Sequence, residues 1–348
     1  MNIQKTMLEA IELELQRQVA RLNQPRTSNF YEMLTYHMGW TGEGAGNEAT
    51  GKRIRPLLVL LTTAACNVND NGKVVLDSSI KHAWLRAVSG AAAVELIHNF
   101  SLVHDDIQDN SKKRRGRDTL WVKWGAPMAI NAGDALFVIA NQAITDLIAH
   151  YPADVVVNAA RILNDTCLDL TRGQFLDMSY EERNDLNIED YWPMVGGKTS
   201  ALLSACTQIG AVLGSAEEAE QEAYRLFGYH LGLAFQVQDD ILGIWGDEAV
   251  TGKSAASDLV EGKNSLPILY GLGKHGKFKK RWEQGPIAID EVKSVAVQLE
   301  EEGARSYAIA VSEKETQKAL AHLEKASPRG VAGESMLELA NKLLKRNQ

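Results

Sequence analysis

Apolar positions run through this chain in long blocks rather than in alternation. The stretches "WLRAVSGAAAVELIHNFSLVHDDIQD", "PMAINAGDALFVIANQAITDLIAH", "TSALLSACTQIGAVLG" and "EAEQEAYRLFGYHLGLAFQVQDDILGIWG" are each longer than a typical strand and show no period of two. Several are apolar around most of their circumference, the mark of helices buried on all sides. Most of the eight prolines, at 25, 56, 127, 152, 193, 267, 286 and 328, fall between such blocks. Connections are expected near 40–51, 66–79, 110–119 and 181–190. The Gly-rich 41–51 stretch reads as flexible and too short to separate domains. From about 275 onward the Glu/Lys-rich remainder reads as amphipathic surface helices. The pattern predicts an all-α fold and a single domain over 1–348.

Two of the apolar blocks end in an Asp pair followed by basic residues. In "LVHDDIQDNSKKRRG" the helical spacing sets Asp105 and Asp109 on one face and turns Asp106 about 100° away. Carboxylates that close repel unless a cation lies between them, and hard oxygen ligands suit Mg²⁺, which commonly bridges a few carboxylates to phosphates. Lys112, Lys113, Arg114 and Arg115 follow at once, and arginine grips phosphate oxygens with a planar fork. A solvated acidic helix end beside a basic loop is the plainer reading of the same residues. The second block, "FQVQDDILGIWGDEAVTGKSAASDLVEGKNSLP", places Asp239 and Asp240 at a helix end with Lys253 and Lys263 beyond. A third basic stretch, "GKRIRP" at 51–56, brings Lys52, Arg53 and Arg55 ahead of a helix and by itself reads as a charged helix start.

Composition narrows the chemistry. The 348 residues are 45% hydrophobic with a formal net charge of -8, which speaks against a nucleic-acid binder but not against an anionic substrate met by clustered bases. Cys66, Cys167 and Cys206 are too few and too scattered for a disulfide framework or a zinc site, so a reducing, cytoplasmic setting is expected. The first 22 residues lack the apolar core of a secretory leader, and no run of about 18 uninterrupted apolar residues appears, so no membrane span is expected.

With "GKRIRP", "LVHDDIQDNSKKRRG", "GGKTS", "FQVQDD" and "TGK" in this order, the chain resembles the trans-isoprenyl diphosphate synthases (polyprenyl synthetases), and among them the geranylgeranyl diphosphate synthases, over about 48–270. The resemblance implies an isoprenoid-synthase helical bundle around a deep cavity, usually in a homodimer. It implies head-to-tail condensation of isopentenyl diphosphate with an allylic diphosphate (dimethylallyl, geranyl or farnesyl) to give geranylgeranyl diphosphate. By the same resemblance, Asp105, Asp109 and Asp239 would hold three Mg²⁺ ions. Arg114, Lys198, Thr199, Gln236, Lys253 and Lys263 match positions that contact the allylic diphosphate or its cationic product. Lys52, Arg55, His98 and Arg115 match the isopentenyl diphosphate site. The chain departs from the pattern at Gly243, where many relatives carry a third acid.

Product length is expected to follow depth below Asp105. In the resembling geranylgeranyl synthases a bulky aromatic at the Phe100 position, five residues upstream, forms the floor, and small Ser101 beside it argues against a farnesyl product. Phe100→Ala is expected to lengthen the product. The alternatives are the same chemistry with a C15 or C25 and longer product, a class I terpene cyclase, or a non-catalytic partner subunit. The "GKRIRP" segment and the Arg114–Arg115 pair favour the synthase over the cyclase, because they supply a second diphosphate site.

Overall fold

The computed structural model describes residues 3–66, 83–181, 183–246 and 256–344. They fall into two compact units. The first comprises Met1–Asp165, Ala205–Gln221 and Ser327–Met336, and the second Thr166–Ser204, Glu222–Ala326 and Leu337–Gln348. Among the described residues the long elements are all helices, as the apolar pattern predicts. The sole sheet among them is a two-stranded ribbon, Lys113–Arg114 with Arg117–Asp118, which the pattern does not announce.

In the first unit, helix Val88–Gln108 packs against Ile3–Val19, Ile54–Cys66 and Ala126–Thr145. Its residues from Ser89 to Ile97 are all buried, and most are small enough to let neighbouring helices close in. Ile3–Val19 instead buries one face, with Met7, Ile11, Leu15 and Val19 at i,i+4 spacing and Glu14 and Gln18 beside them. The stretch Ala126–Ala149 is long and apolar enough to cross a bilayer by length and composition, and 44% of its 18-residue apolar window is buried inside the protein.

The second unit has two adjoining cores. One gathers Ile244, Ile268, Phe278, Val295 and Leu299, and the other Tyr191, Val195, Val237, Ile241 and Leu269. Full burial of a side chain such as Phe278 or Leu299 contributes about 1.5–3 kcal/mol. Beyond residue 275 the helices are amphipathic as expected: Ala304–Ala326 buries Ala304, Ala308, Ser312, Glu315, Ala319, Leu323 and Ala326, a stripe at three- and four-residue steps.

Candidate active site

The acidic turn of the first unit is shaped by the way its helix stops. Asn110 takes a left-handed φ of 51°, which asparagine tolerates better than most residues. The amide of Asn110 then donates to the Ile107 carbonyl and that of Ser111 to the Asp106 carbonyl, a Schellman-type closure. Asp105, Asp106 and Asp109 are thereby held in the last turn and cap, where the helix dipole is negative and unfavourable for carboxylates. Positive charge must offset this.

Part of that charge comes from Arg114. Arg115 and Gly116, at φ 51° and 75°, form a tight turn of the ribbon with both central residues at positive φ. The turn brings Arg114 back to the helix end, where its Nε lies 2.9 Å from Asp106 Oδ1 and its Nη2 3.5 Å from Asp105 Oδ2. Asp106 is 2% exposed, and burial raises its pKa despite the guanidinium beside it. Asp106 is therefore the structural member of the pair, while Asp105 is half-buried and Asp109 exposed.

The other bases of the ribbon reach the Gly-rich stretch. Arg115 donates to the Ala49 carbonyl at 2.8 Å. Arg117 donates to the carbonyls of Tyr36, Thr41 and Glu43 at 2.7, 2.6 and 2.9 Å and stacks over the Tyr36 ring. The 41–51 stretch, expected to be flexible, is thus fastened by two arginines and contains the short helix Asn47–Thr50.

"GKRIRP" divides its three bases between two jobs. Lys52 is exposed. Arg55 lies with its Nη1 3.2 Å from His98 Nε2, so two of the four expected isopentenyl diphosphate residues meet directly. Burial, with Arg55, Arg115 and Arg114 around it, holds the His98 imidazole neutral, well below its ordinary pKa. Arg53 corrects the reading of this segment as a charged surface helix start: it is 5% exposed and pairs with Glu95, itself 3% exposed, at 2.9 Å. Nothing in sequence spacing marks Glu95 or Glu12 as its partners.

The second unit repeats the division of labour within an Asp pair. Asp240 is 5% exposed and accepts from the Tyr191 hydroxyl at 2.8 Å, the Leu266 amide at 3.0 Å and Gln236 Nε2 at 2.9 Å. Burial pushes its pKa up to about 7. Asp239 stays half-buried beside it. With its amide held by Asp240, Gln236 turns Oε1 to the Thr199 hydroxyl at 2.9 Å, a hydrogen bond between two residues from separate motifs that the sequence does not announce. Lys198 lies in a π-helical turn, Gly196–Ser200, and pairs with Asp177, a partner the motif reading missed. That turn approaches the helix Ala153–Tyr180 so closely that a Cβ on Gly173 would stand 2.1 Å from the Lys198 backbone nitrogen. Lys263 is exposed and pairs with Glu261 at 2.7 Å. Lys253 lies outside the described residues.

Among the described residues no group of three or more His, Cys, Asp or Glu side chains converges into a metal cluster. Mg²⁺ does not require one, because it takes one or two carboxylates and completes its shell with water and phosphate oxygens. Asp105 and Asp109, i,i+4 neighbours with Asp106 already committed to Arg114, present such a set of hard oxygen donors.

The family profile described as Polyprenyl synthetase matches residues 45–299. The chain belongs to the polyprenyl synthetase family. Among curated relatives, a (2E,6E)-farnesyl diphosphate synthase of Mycobacterium bovis is 37% identical over 288 residues, covering 80% of this chain and 75% of that protein. A geranylgeranyl diphosphate synthase of Mycobacterium tuberculosis is 39% identical over 265 residues, 76% of this chain and 70% of that one. A crystal structure of a polyprenyl synthetase from Streptomyces coelicolor A3(2) superposes with a TM-score of 0.84 at 33% identity, covering 97% of this chain and 98% of that one. As a family member the chain is a trans-prenyl diphosphate synthase. Polyprenyl synthetases use isopentenyl diphosphate and an allylic diphosphate, and are generally Mg²⁺-dependent.

Proposed function

We propose that this synthase extends an allylic diphosphate with isopentenyl diphosphate to a C20 product, geranylgeranyl diphosphate. The observation that carries the chain length is the pair Phe100 and Ser101, both half-buried on the helix that carries Asp105, with one aromatic and one small side chain at these depths. The relatives are named for both farnesyl and geranylgeranyl products, so their names alone favour neither.

In this reading Asp105, Asp109 and Asp239 hold three Mg²⁺ ions, which when bound neutralise charge on the diphosphates. Arg114, Lys198, Lys253 and Lys263 stabilise the pyrophosphate as it departs, and a unit-charge contact at 4 Å is worth roughly 4 kcal/mol at an effective dielectric of 20. Arg114 must exchange its Asp106 and Asp105 contacts, wholly or in part, for phosphate oxygens. Gln236 offers a carbonyl dipole fixed by Thr199 and Asp240, and a dipole already oriented stabilises a developing allylic cation without reorganising. Lys52, Arg55, His98 and Arg115 seat isopentenyl diphosphate. A neutral His98 serves as a hydrogen-bonding partner and adds no charge of its own.

We further propose that the whole chain works as one domain, since the family match of 45–299 draws on both units. A homodimer is supported by the apolar side chains left exposed on two long helices, Met128 and Val138 on one and Val157, Leu168 and Phe175 on the other. A cytoplasmic setting is supported by the low number and wide spacing of the cysteines, Cys66, Cys167 and Cys206.

The test is to incubate the purified protein with isopentenyl diphosphate, Mg²⁺ and dimethylallyl, geranyl or farnesyl diphosphate in turn, then chromatograph the dephosphorylated products. Geranylgeraniol as the main product, lengthened in Phe100→Ala, supports the reading. A main product of C15, or one of C25 and longer, overturns it.

A further inference from the structure

The Phe100 ring does not stand alone. Phe137, from helix Ala126–Thr145, packs on it with ring centroids 5.2 Å apart and planes tilted by 56°. His104, one turn nearer the acids, meets Phe100 in an edge-type contact with ring centroids 5.0 Å apart. The two helices run antiparallel in a register that repeats every turn. His104 lies over Gly133, where a Cβ would come within 2.3 Å of the imidazole, and one turn deeper Phe100 meets Phe137. Farther down the same seam Gly90 faces Leu147. The close approach permitted by Gly133 therefore fixes the level at which the second aromatic enters.

From this register we infer that Phe137 is a specificity-determining residue, the second half of a two-ring stop that sets product length together with Phe100. The inference rests on the prenyltransferase reading given above. Both rings are half-buried, so neither is committed wholly to the core. On its own helix Phe100 meets His104 at i+4, and Phe137 supplies a second aromatic neighbour from the adjacent helix. Aromatic pairs at such tilted geometry gain attraction beyond their area, which keeps Phe100 from swinging aside as the hydrocarbon arrives. One helical turn rises about 5.4 Å, close to the length of an extended isoprene unit, so removing either ring opens a step of one unit.

The test compares Phe137→Ala and Phe137→Trp with wild type, using isopentenyl diphosphate consumption and product chromatography together. Phe137→Ala is expected to move the main product by at least five carbons upward, and Phe137→Trp to move it downward. A residue that served only to hold the fold would not shift length in opposite directions. If Phe137→Ala loses its cooperative thermal transition, Phe137→Leu replaces it, with a longer product expected as a second peak. Variants that consume isopentenyl diphosphate and give the wild-type product overturn the role of Phe137 alone. A wild-type protein that consumes none sinks the prenyltransferase reading, and this inference with it.

Discussion

Replacing Arg53 by Met removes the cation from a buried ion pair, and the cost follows from what is left behind. Arg53 donates to Glu95 at 2.9 Å, to Glu12 at 3.2 Å and to the Met38 carbonyl at 3.3 Å. Its own backbone sits at a φ of 48°, a strained value for a side-chain-bearing residue, held in place by those contacts. In Arg53→Met the Glu95 carboxylate, 3% exposed, retains the Asn99 amide at 3.2 Å but loses its counter-charge. An uncompensated buried charge costs about 3–5 kcal/mol. Urea unfolding followed by far-UV circular dichroism should show a loss of that size. The double variant Arg53→Met with Glu95→Leu removes both charges and should be more stable than Arg53→Met alone, because an apolar pair replaces an ion pair at little net cost. Lys52 and Arg55 flank Arg53, so KM for isopentenyl diphosphate should rise more than kcat falls. A single variant within about 0.5 kcal/mol of wild type, the range of ordinary surface changes, refutes the reasoning. So does a double variant no better than the single.

Two further perturbations address other parts of the site. Burial, with Arg114, Arg115 and Arg53 nearby, pushes the pKa of His37 down from 6.5 to about 3. The unfolded chain takes up this proton near its ordinary pKa and the folded chain only near pH 3. The stabilising effect is therefore complete above pH 6.5 and falls as pH drops, by at most about 1.4 kcal/mol per pH unit. His37→Gln should flatten the loss of thermal stability on acidification, and parallel Tm curves for the two proteins would rule this out. At Gly243 a Cβ would stand 2.4–2.7 Å from the carboxylate of Asp258, which is 6% exposed. Gly243→Ala should cost about 1–3 kcal/mol by overpacking. Gly243→Asp should cost more through like charge, and Asp258→Asn should relieve part of that excess; a Gly243→Asp protein melting with wild type contradicts it.

Much of the fold was legible because several of its helices are apolar around most of their circumference and the others bury stripes at helical spacing, patterns no half-exposed strand produces. The Asp-rich helix ends were legible too, since each lies in a motif whose members are close in sequence. Partners drawn from afar were not. Arg53 reads as one of three bases in a row, and only tertiary packing selects it for Glu95, 42 residues on. The two Asp pairs look alike in sequence, yet in each the second carboxylate is buried as a structural acceptor, Asp106 for Arg114 and Asp240 for Tyr191, Gln236 and Leu266. Gly243 reads as a missing acid, whereas the structure has the Asp258 carboxylate filling the space above it. The Gly-rich 41–51 stretch looked loose because its composition says nothing of Arg115 and Arg117, which hold its carbonyls from some 70 residues away.

The most direct measurement is the rate at which isopentenyl diphosphate is consumed with farnesyl diphosphate and Mg²⁺ by wild type, Asp105→Asn and Asp239→Asn. The account predicts turnover by wild type that chelation of Mg²⁺ abolishes. Each Asn variant should be slowed by about 10²–10³-fold, the scale of losing one preorganised electrostatic contact, with its thermal stability intact. Undiminished consumption in either variant, or none in wild type, would contradict it.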